Sequence, residues 1–402
     1  MDSAAEGRQP RGRHEPALTG NAQQHQGRSN GSIRMTTRRT ITAKMGAVVP
    51  RLIFAAFVIS TDLLAQTQMA ARNIGTGHQP IAVAVNEATN KAYIVNHDDS
   101  SVTVIDGKTL AAVGTIKTGA GPEGIAVNPA TNRTYVANAG ESAVTVIDGA
   151  TNTAIASVRT GAYCQALAVN AATNKIYVAN NSGHNVTVID GATNSATSVR
   201  VGQGPRAIVL NPVTNKIYTA NYSSKDATEI EGATNSARSL PTGKHPWAIA
   251  ADSRANKIYV ANEDSATVSI IDGATGATKN VAVGDVPFAI AVNSVTGEAY
   301  VLSYVANTVA VIDGATGAVL RTLQLATHPS TIAVNSKTNQ IFIANQKTAS
   351  VLAIDGKTKA VVATISAGSI PYAMAVDTVA NQVYVANFFS DNATIIEGPA
   401  SN

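Results

Sequence analysis

The 402-residue chain is 45% hydrophobic but only 4% aromatic and 14% charged, which excludes disorder throughout and points to a core of small aliphatic side chains. Its formal charge of +4 does not make it a nucleic-acid binder. Residues 1–51 hold nine Lys and Arg against three acids, a net +6, and the remainder carries −2, so no basic surface is left for phosphate contacts. One cysteine, Cys164, excludes an intrachain disulfide without fixing a compartment.

Residues 1–34 are rich in Gly, Gln, Arg and Ser without an apolar period, the composition of a disordered extension, left untranslated where translation starts at Met35. From Met35 the order changes. Arg38, Arg39, Lys44 and Arg51 precede the apolar stretch Leu52 to Ser60, and Ala65 closes a Leu63-Leu64-Ala65 step. This is the arrangement of a secretory signal peptide over residues 35–65; the apolar run is too short for a membrane span, which needs about 20 residues. The mature chain is expected to begin near Gln66, with no membrane span, and to be exported to the periplasm, the cell surface or the extracellular space.

From about residue 70 a single unit recurs. The last residues of the P-x-x-I-A-V-N segments fall at Asn86, Asn128, Asn170, Asn211, Asp252, Asn293, Asn335 and Asp377, in steps of 41 or 42. The acids of the I-D-G or I-E-G tripeptides, from Asp106 to Glu397, repeat in phase with them. Within residues 122–161 four apolar, β-branched runs (Ile125 to Val127, Tyr135 to Ala137, Val144 to Ile147 and Ile155 to Val158) are separated by clusters of Asn, Asp, Gly, Thr and Pro that favour tight turns. Four antiparallel strands per unit predict an all-β fold, an eight-bladed β-propeller over residues 66–398. The last copy stops after its third strand, whereas Asn73 to Gly77 aligns with a fourth strand that has no first three before it. Pairing the two closes the ring and removes its exposed edges; seven blades with one atypical copy is the alternative.

The motifs Tyr93-Ile94-Val95-Asn96, Tyr135-Val136-Ala137-Asn138, Tyr177-Val178-Ala179-Asn180, Tyr259-Val260-Ala261-Asn262 and Tyr384-Val385-Ala386-Asn387 resemble the blade signature of the YVTN-repeat β-propeller family. The resemblance covers about residues 70–398 and implies an exported or cell-surface propeller of bacterial or archaeal type. It implies no particular activity, because the architecture hosts binders and enzymes alike. Streptogramin lyases share the first-strand pattern but carry a Trp-rich second strand where this chain has Y-V-A-N.

With strands named a to d from the channel outward, the a–b and c–d turns lie on one face and the b–c and d–a turns on the other. The first set are near copies and read as scaffold. The second set differ. Directly after the proline that opens strand a come Ile81, Glu123, Gln165, Arg206, Trp247, Phe288, Ser330 and Tyr372; directly before it come Gln79, Gly121, Tyr163, Gly204, His245, Val286, His328 and Ile370. These positions should ring the channel mouth, where loops on a rigid frame carry function. The ligand-binding set expected there is Glu123, Tyr163, Gln165, Arg206, His245, Trp247, Phe288, His328 and Tyr372, with Arg206 facing an anionic or carbonyl group and the rings stacking. The b–c loops add His97, Asp98, Asp99, His184, Tyr222, Glu263, Asp264, Tyr304, Phe388 and Phe389 to the same face.

The acids of the c–d turns read as turn formers rather than metal ligands, and the Asn ending strand b as a hairpin cap. His245 and His328 are the pair with which a metal would be shared; no metal or other cofactor is expected. Covalent haem attachment is excluded by the single Cys, and G-x-S-x-G, H-E-x-x-H and phosphate-binding loops do not occur. The function expected is a noncatalytic binding or interaction module, monomeric, with a small molecule, glycan or protein at the channel mouth. The alternatives are a metal-assisted lyase or lactonase on the same face and a structural cell-surface protein.

Overall fold

The structure, a computed structural model, describes residues 69–326 and 328–398; the expected extension and signal peptide lie outside the described residues. Eight four-stranded antiparallel sheets follow one another around a ring. In the first blade, strands a to d are Pro80–Asn86, Lys91–Asn96, Ser101–Asp106 and Ala111–Lys117, and the same order recurs through the seventh. The eighth supplies Pro371–Asp377, Gln382–Asn387 and Asn392–Glu397, and its fourth strand is Ala70–Gly75. That strand runs antiparallel to the last one, from Ala70 opposite Glu397 to Gly75 opposite Asn392. The ring therefore has eight blades rather than seven, closed by the two ends of the repeat region.

Local chemistry explains the elements. The a–b turns place Asn90, Asn132, Asn174, Asn215, Asn256, Asn339 and Asn381 in the left-handed region with φ of 50° to 55°, a conformation that Asn tolerates better than larger side chains. In the c–d turns, Asp148 is typical: its Oδ1 accepts the backbone N–H of Ala150 at 2.7 Å and of Thr151 at 3.0 Å. These bonds hold its carboxyl below the ordinary aspartate range. Asp106, Asp190, Asp272, Asp313 and Asp355 do the same, so this set of acids builds turns.

Strand b is buried along nearly its whole length in every blade because both of its faces meet neighbours, which is why it reads as a continuous apolar run rather than an alternation. Eight hydrophobic clusters each span two adjacent blades. One joins Ala92, Ile94 and Ile105 of the first blade to Tyr384, Ala386 and Ile395 of the eighth, across the closure. Each blade also buries one ring completely, at Tyr93, Tyr135, Tyr177, Tyr218, Tyr259, Tyr300, Phe342 and Tyr384. Few as they are, aromatics thus occupy the centre of every interface, where burial pushes the Tyr259 hydroxyl up to about 12.

Candidate functional site

The rim of the channel is built the same way eight times. Each strand a carries a register shift directly after its first residue, between Pro205 and Ala207 for example, and at Cys164/Ala166 where Cys164 replaces the proline. The residue caught in this bulge is the variable one, and a bulge turns a side chain out of the sheet's alternation. The residue before the proline is left-handed in all eight blades, with φ from 51° at His245 to 66° at Gly204. For Val286 (57°) and Ile370 (55°), both β-branched, that is a strained conformation. Behind the rim, the Asn ending strand b donates to the strand-c hydroxyl, as Asn180 Nδ2 does to Thr187 Oγ1 at 2.9 Å. The same hydroxyl accepts the N–H of Gly161 in the d–a loop at 3.2 Å. Buried polar ties of this kind recur at Asn138, Asn221 and Asn262, and they clamp the loops to the sheets.

On this frame the fourth to seventh blades assemble a continuous arc of rings. His245 stacks on Tyr222 with centroids 4.5 Å apart, Tyr222 meets the edge of Trp247 at 5.9 Å, Trp247 lies 5.7 Å from Phe288, Phe288 lies 6.1 Å from Tyr304, and Tyr304 meets His328 at 5.7 Å. Arg206 covers the Trp247 ring, its guanidinium carbon 3.3 Å from the centroid, close enough for a cation–π contact. A second ring group, Tyr372, Phe388 and Phe389, stands on the eighth blade with centroids 5.8 and 4.9 Å apart, and Phe389 is 67% exposed.

The electrostatics converge on Arg206. Burial lowers its affinity for a proton, while Tyr372, Glu263, Tyr222 and Glu123 act to raise it. Groups on four separate blades thus act on the guanidinium electrostatically, yet it forms no hydrogen bond or ion pair with any described residue; only its backbone carbonyl is used, accepting from Gln165 Nε2 at 2.7 Å. Beside it, burial and the neighbouring Asp264 push the Glu263 carboxyl above the ordinary range, against the pull of the Tyr222 hydroxyl, Arg206 and His245. Glu263 Oε2 is buried without a hydrogen-bond partner. Asp264 is instead engaged with His245 Nδ1, 2.5 Å away.

The expected residues separate accordingly. Arg206, His245, Trp247, Phe288 and His328 join one arc, whereas Tyr372 packs with Phe388 on the eighth blade and acts on Arg206 only electrostatically. Gln165 commits its amide N–H to the frame, as Ser330 commits its hydroxyl to the Pro371 carbonyl at 2.6 Å. Glu123 accepts from the Tyr163 hydroxyl at 3.3 Å, a pair on the second and third blades. His245 and His328 lie at opposite ends of the arc, and among the described residues no three His, Cys, Asp or Glu side chains converge as a metal site. Cys164 is fully buried, with Sγ 3.3 Å from the Asn138 carbonyl, and burial pushes its thiol up, so it is not poised as a nucleophile. Glu263 and Tyr222 were legible only as loop residues; their closeness to Arg206 depends on which blades adjoin. A cavity of about 480 Å³ lies apart from the arc, toward the a–b turns, lined by Val85, Glu87, Ala88, Pro129, Ala375, Val376 and Val379.

No family model matches the chain, and no curated protein matches it. Among solved structures it is similar to Kuenenia stuttgartiensis hydrazine synthase, at 18% identity and a TM-score of 0.58, over 80% of this chain and 96% of that one. It is also similar to the dihydro-heme d1 dehydrogenase NirN in complex with DHE, at 15% identity and a TM-score of 0.65, over 78% of this chain and 72% of that one. Likeness at this level of identity establishes the propeller fold and nothing about activity.

Proposed function

We propose that this protein is an exported propeller of the YVTN-repeat type that binds a small molecule, without catalysis, at the mouth formed by the d–a and b–c loops. The observation that carries the reading is Arg206. A guanidinium held against an indole face at 3.3 Å, largely withdrawn from water and without an acceptor among the described residues, has five N–H donors ready for a ligand. The ring arc from Tyr222 to His328 provides the flat apolar surface such a ligand covers, and the clamped loops keep both parts in place before binding, which limits the entropy cost of association. Export rests on the order of charge, apolar stretch and small residue between Met35 and Ala65; no helix among the described residues is long and apolar enough to cross a membrane.

Trp247 is the only tryptophan in the chain, so its fluorescence reports on this site alone. Titrating purified protein with a panel of small aromatic acids, alcohols and sugars is expected to quench or shift that emission saturably for at least one class, and Phe288→Ala should weaken the response about tenfold while leaving the fold unchanged by circular dichroism. Emission that no class perturbs would count against a ligand site here. For export, mass spectrometry of the protein recovered outside the cytoplasm is expected to find an N-terminus near Gln66, and an intact Met35 terminus in that fraction would argue against it.

A further inference from the structure

The unpaired groups around Arg206 say what kind of ligand fits, and the argument rests on the binding reading above. Arg206 needs an acceptor, and the fork of a guanidinium with one face on a ring is best matched in its own plane by a carboxylate. The neighbouring acids Glu263 and Asp264 do not supply it: Asp264 is engaged with His245, and Glu263, its Oε2 buried without a well-formed hydrogen bond and its carboxyl under the pull of the Tyr222 hydroxyl, makes no ion pair with Arg206. A carboxyl held in this way is best satisfied by a further donor, and the groups that act on it are Asp264, Tyr222, Arg206 and His245. The acids grouped around a single arginine also disfavour a multiply charged anion. The arc of Tyr222, Trp247, Phe288 and Tyr304 faces the remainder of the ligand with rings.

We infer that the channel mouth recognises a monoanionic, ring-bearing carboxylic acid that also carries a hydroxyl or amino donor, its carboxylate on Arg206, its donor on Glu263 and its ring on the Trp247–Phe288 surface. Both polar contacts are specific to the pair. Losing the anion strands Arg206, and losing the donor strands Glu263, so each deletion should be penalised more than the loss of an equal apolar area.

The test uses the full mature chain and three probes read by Trp247 emission and calorimetry: 3-phenyllactate, 3-phenylpropionate, which lacks the donor, and methyl 3-phenyllactate, which lacks the anion. The expected order is phenyllactate tightest, with each of the others weaker by about tenfold or more. Arg206→Gln should remove the preference for acid over ester, and Glu263→Leu the preference for phenyllactate over phenylpropionate. Because the three-probe comparison is made on the unaltered protein, a variant that fails to fold does not decide the matter. Equal binding of all three probes would overturn the inference while leaving a ring-binding mouth intact; no response of Trp247 to any probe, when other ring compounds do elicit one, would overturn it as well, and silence toward every ring compound would remove the binding reading together with it.

Discussion

Single residues show where the repeat departs from itself and what each departure costs. On the a–b face a belt of amides links the blades, each strand-a Asn donating through Nδ2 to an Asn on the next blade, as Asn86 does to Asn132 at 2.9 Å and Asn335 to Asn381 at 2.9 Å. The belt is interrupted twice, at Asp252 of the fifth blade and, at the closure, at Asp377; both are buried with an Oδ2 that has no partner, and Asn90 Oδ1 on the first blade also has none. Burial pushes the Asp377 carboxyl above its ordinary 3.8, with Glu87 adding to the effect. The folded chain therefore holds this proton more tightly than the unfolded chain, so stability is greatest below the ordinary aspartate value and falls as pH rises through the raised one. Asp377→Asn should carry the belt across the closure, raise unfolding free energy by about 1 kcal/mol at neutral pH and give little or no gain near pH 3; paired urea titrations at the two pH values check it. The candidate site was partly legible at this scale. Arg206, Trp247 and Phe288 stand out because three dissimilar residues occupy one repeat position in successive copies, whereas Glu263 has no repeat signal and becomes notable only through its electrostatic coupling to Arg206.

Elements carry the strain and the charge that composition conceals. The d–a turn requires a left-handed residue in every blade, and sequence supplies Gly at only Gly121 and Gly204. Val286 and Ile370 sit there against the preference of β-branched side chains, at the rim of the mouth, where strain is retained if the side chain is used. Val286→Asn and Ile370→Asn are each expected to stabilise by about 1 kcal/mol, nearly additively because they stand two blades apart, as read by calorimetric melting. The fourth blade shows the other case. Its strand c places Glu229 where other blades have an aliphatic residue, and the carboxyl is buried beside Tyr218. Burial acts to raise the Glu229 carboxyl, but Arg238, at 2.9 and 3.0 Å, and Lys216, at 3.1 Å, outweigh it and hold it below the ordinary range. That stability is present above the unfolded value and is lost as pH falls through the folded one. Glu229→Leu should therefore destabilise by about 1 to 3 kcal/mol at neutral pH, leaving two cations facing an apolar side chain, with a smaller effect in acid.

For the whole molecule, the decisive feature is that a strand from one end of the repeat region completes the sheet at the other. Deleting residues 70–75 is expected to expose the edge of Asn392–Glu397, lower unfolding free energy by more than about 3 kcal/mol and produce concentration-dependent association visible by light scattering. The closure also joins the loops: Gln79 N–H of the first blade donates to Asp391 Oδ1 of the eighth at 3.0 Å, so an opened ring should loosen the mouth as well as the core. Weakened ring-probe binding in the deletion variant, at a temperature where it remains folded, is the corresponding functional readout.

Sequence alone determined the blade, its repetition and its turns, because those depend on interactions within about forty residues: β-branched runs, left-handed Asn, Asp-Gly turns, and a fourth-strand motif left without its sheet at the start. It also separated the two faces, since strand reversal fixes which turns share a side. Tertiary structure decided the rest. The ring arc, the Arg206 guanidinium over Trp247, the Glu263 carboxyl under the pull of Tyr222 and Arg206, and the bond from Gln79 to Asp391 across the closure are meetings between blades. Such meetings are set by blade number and by the tilt at which clusters of Tyr, Val and Ile pack, and no spacing along one chain encodes that tilt.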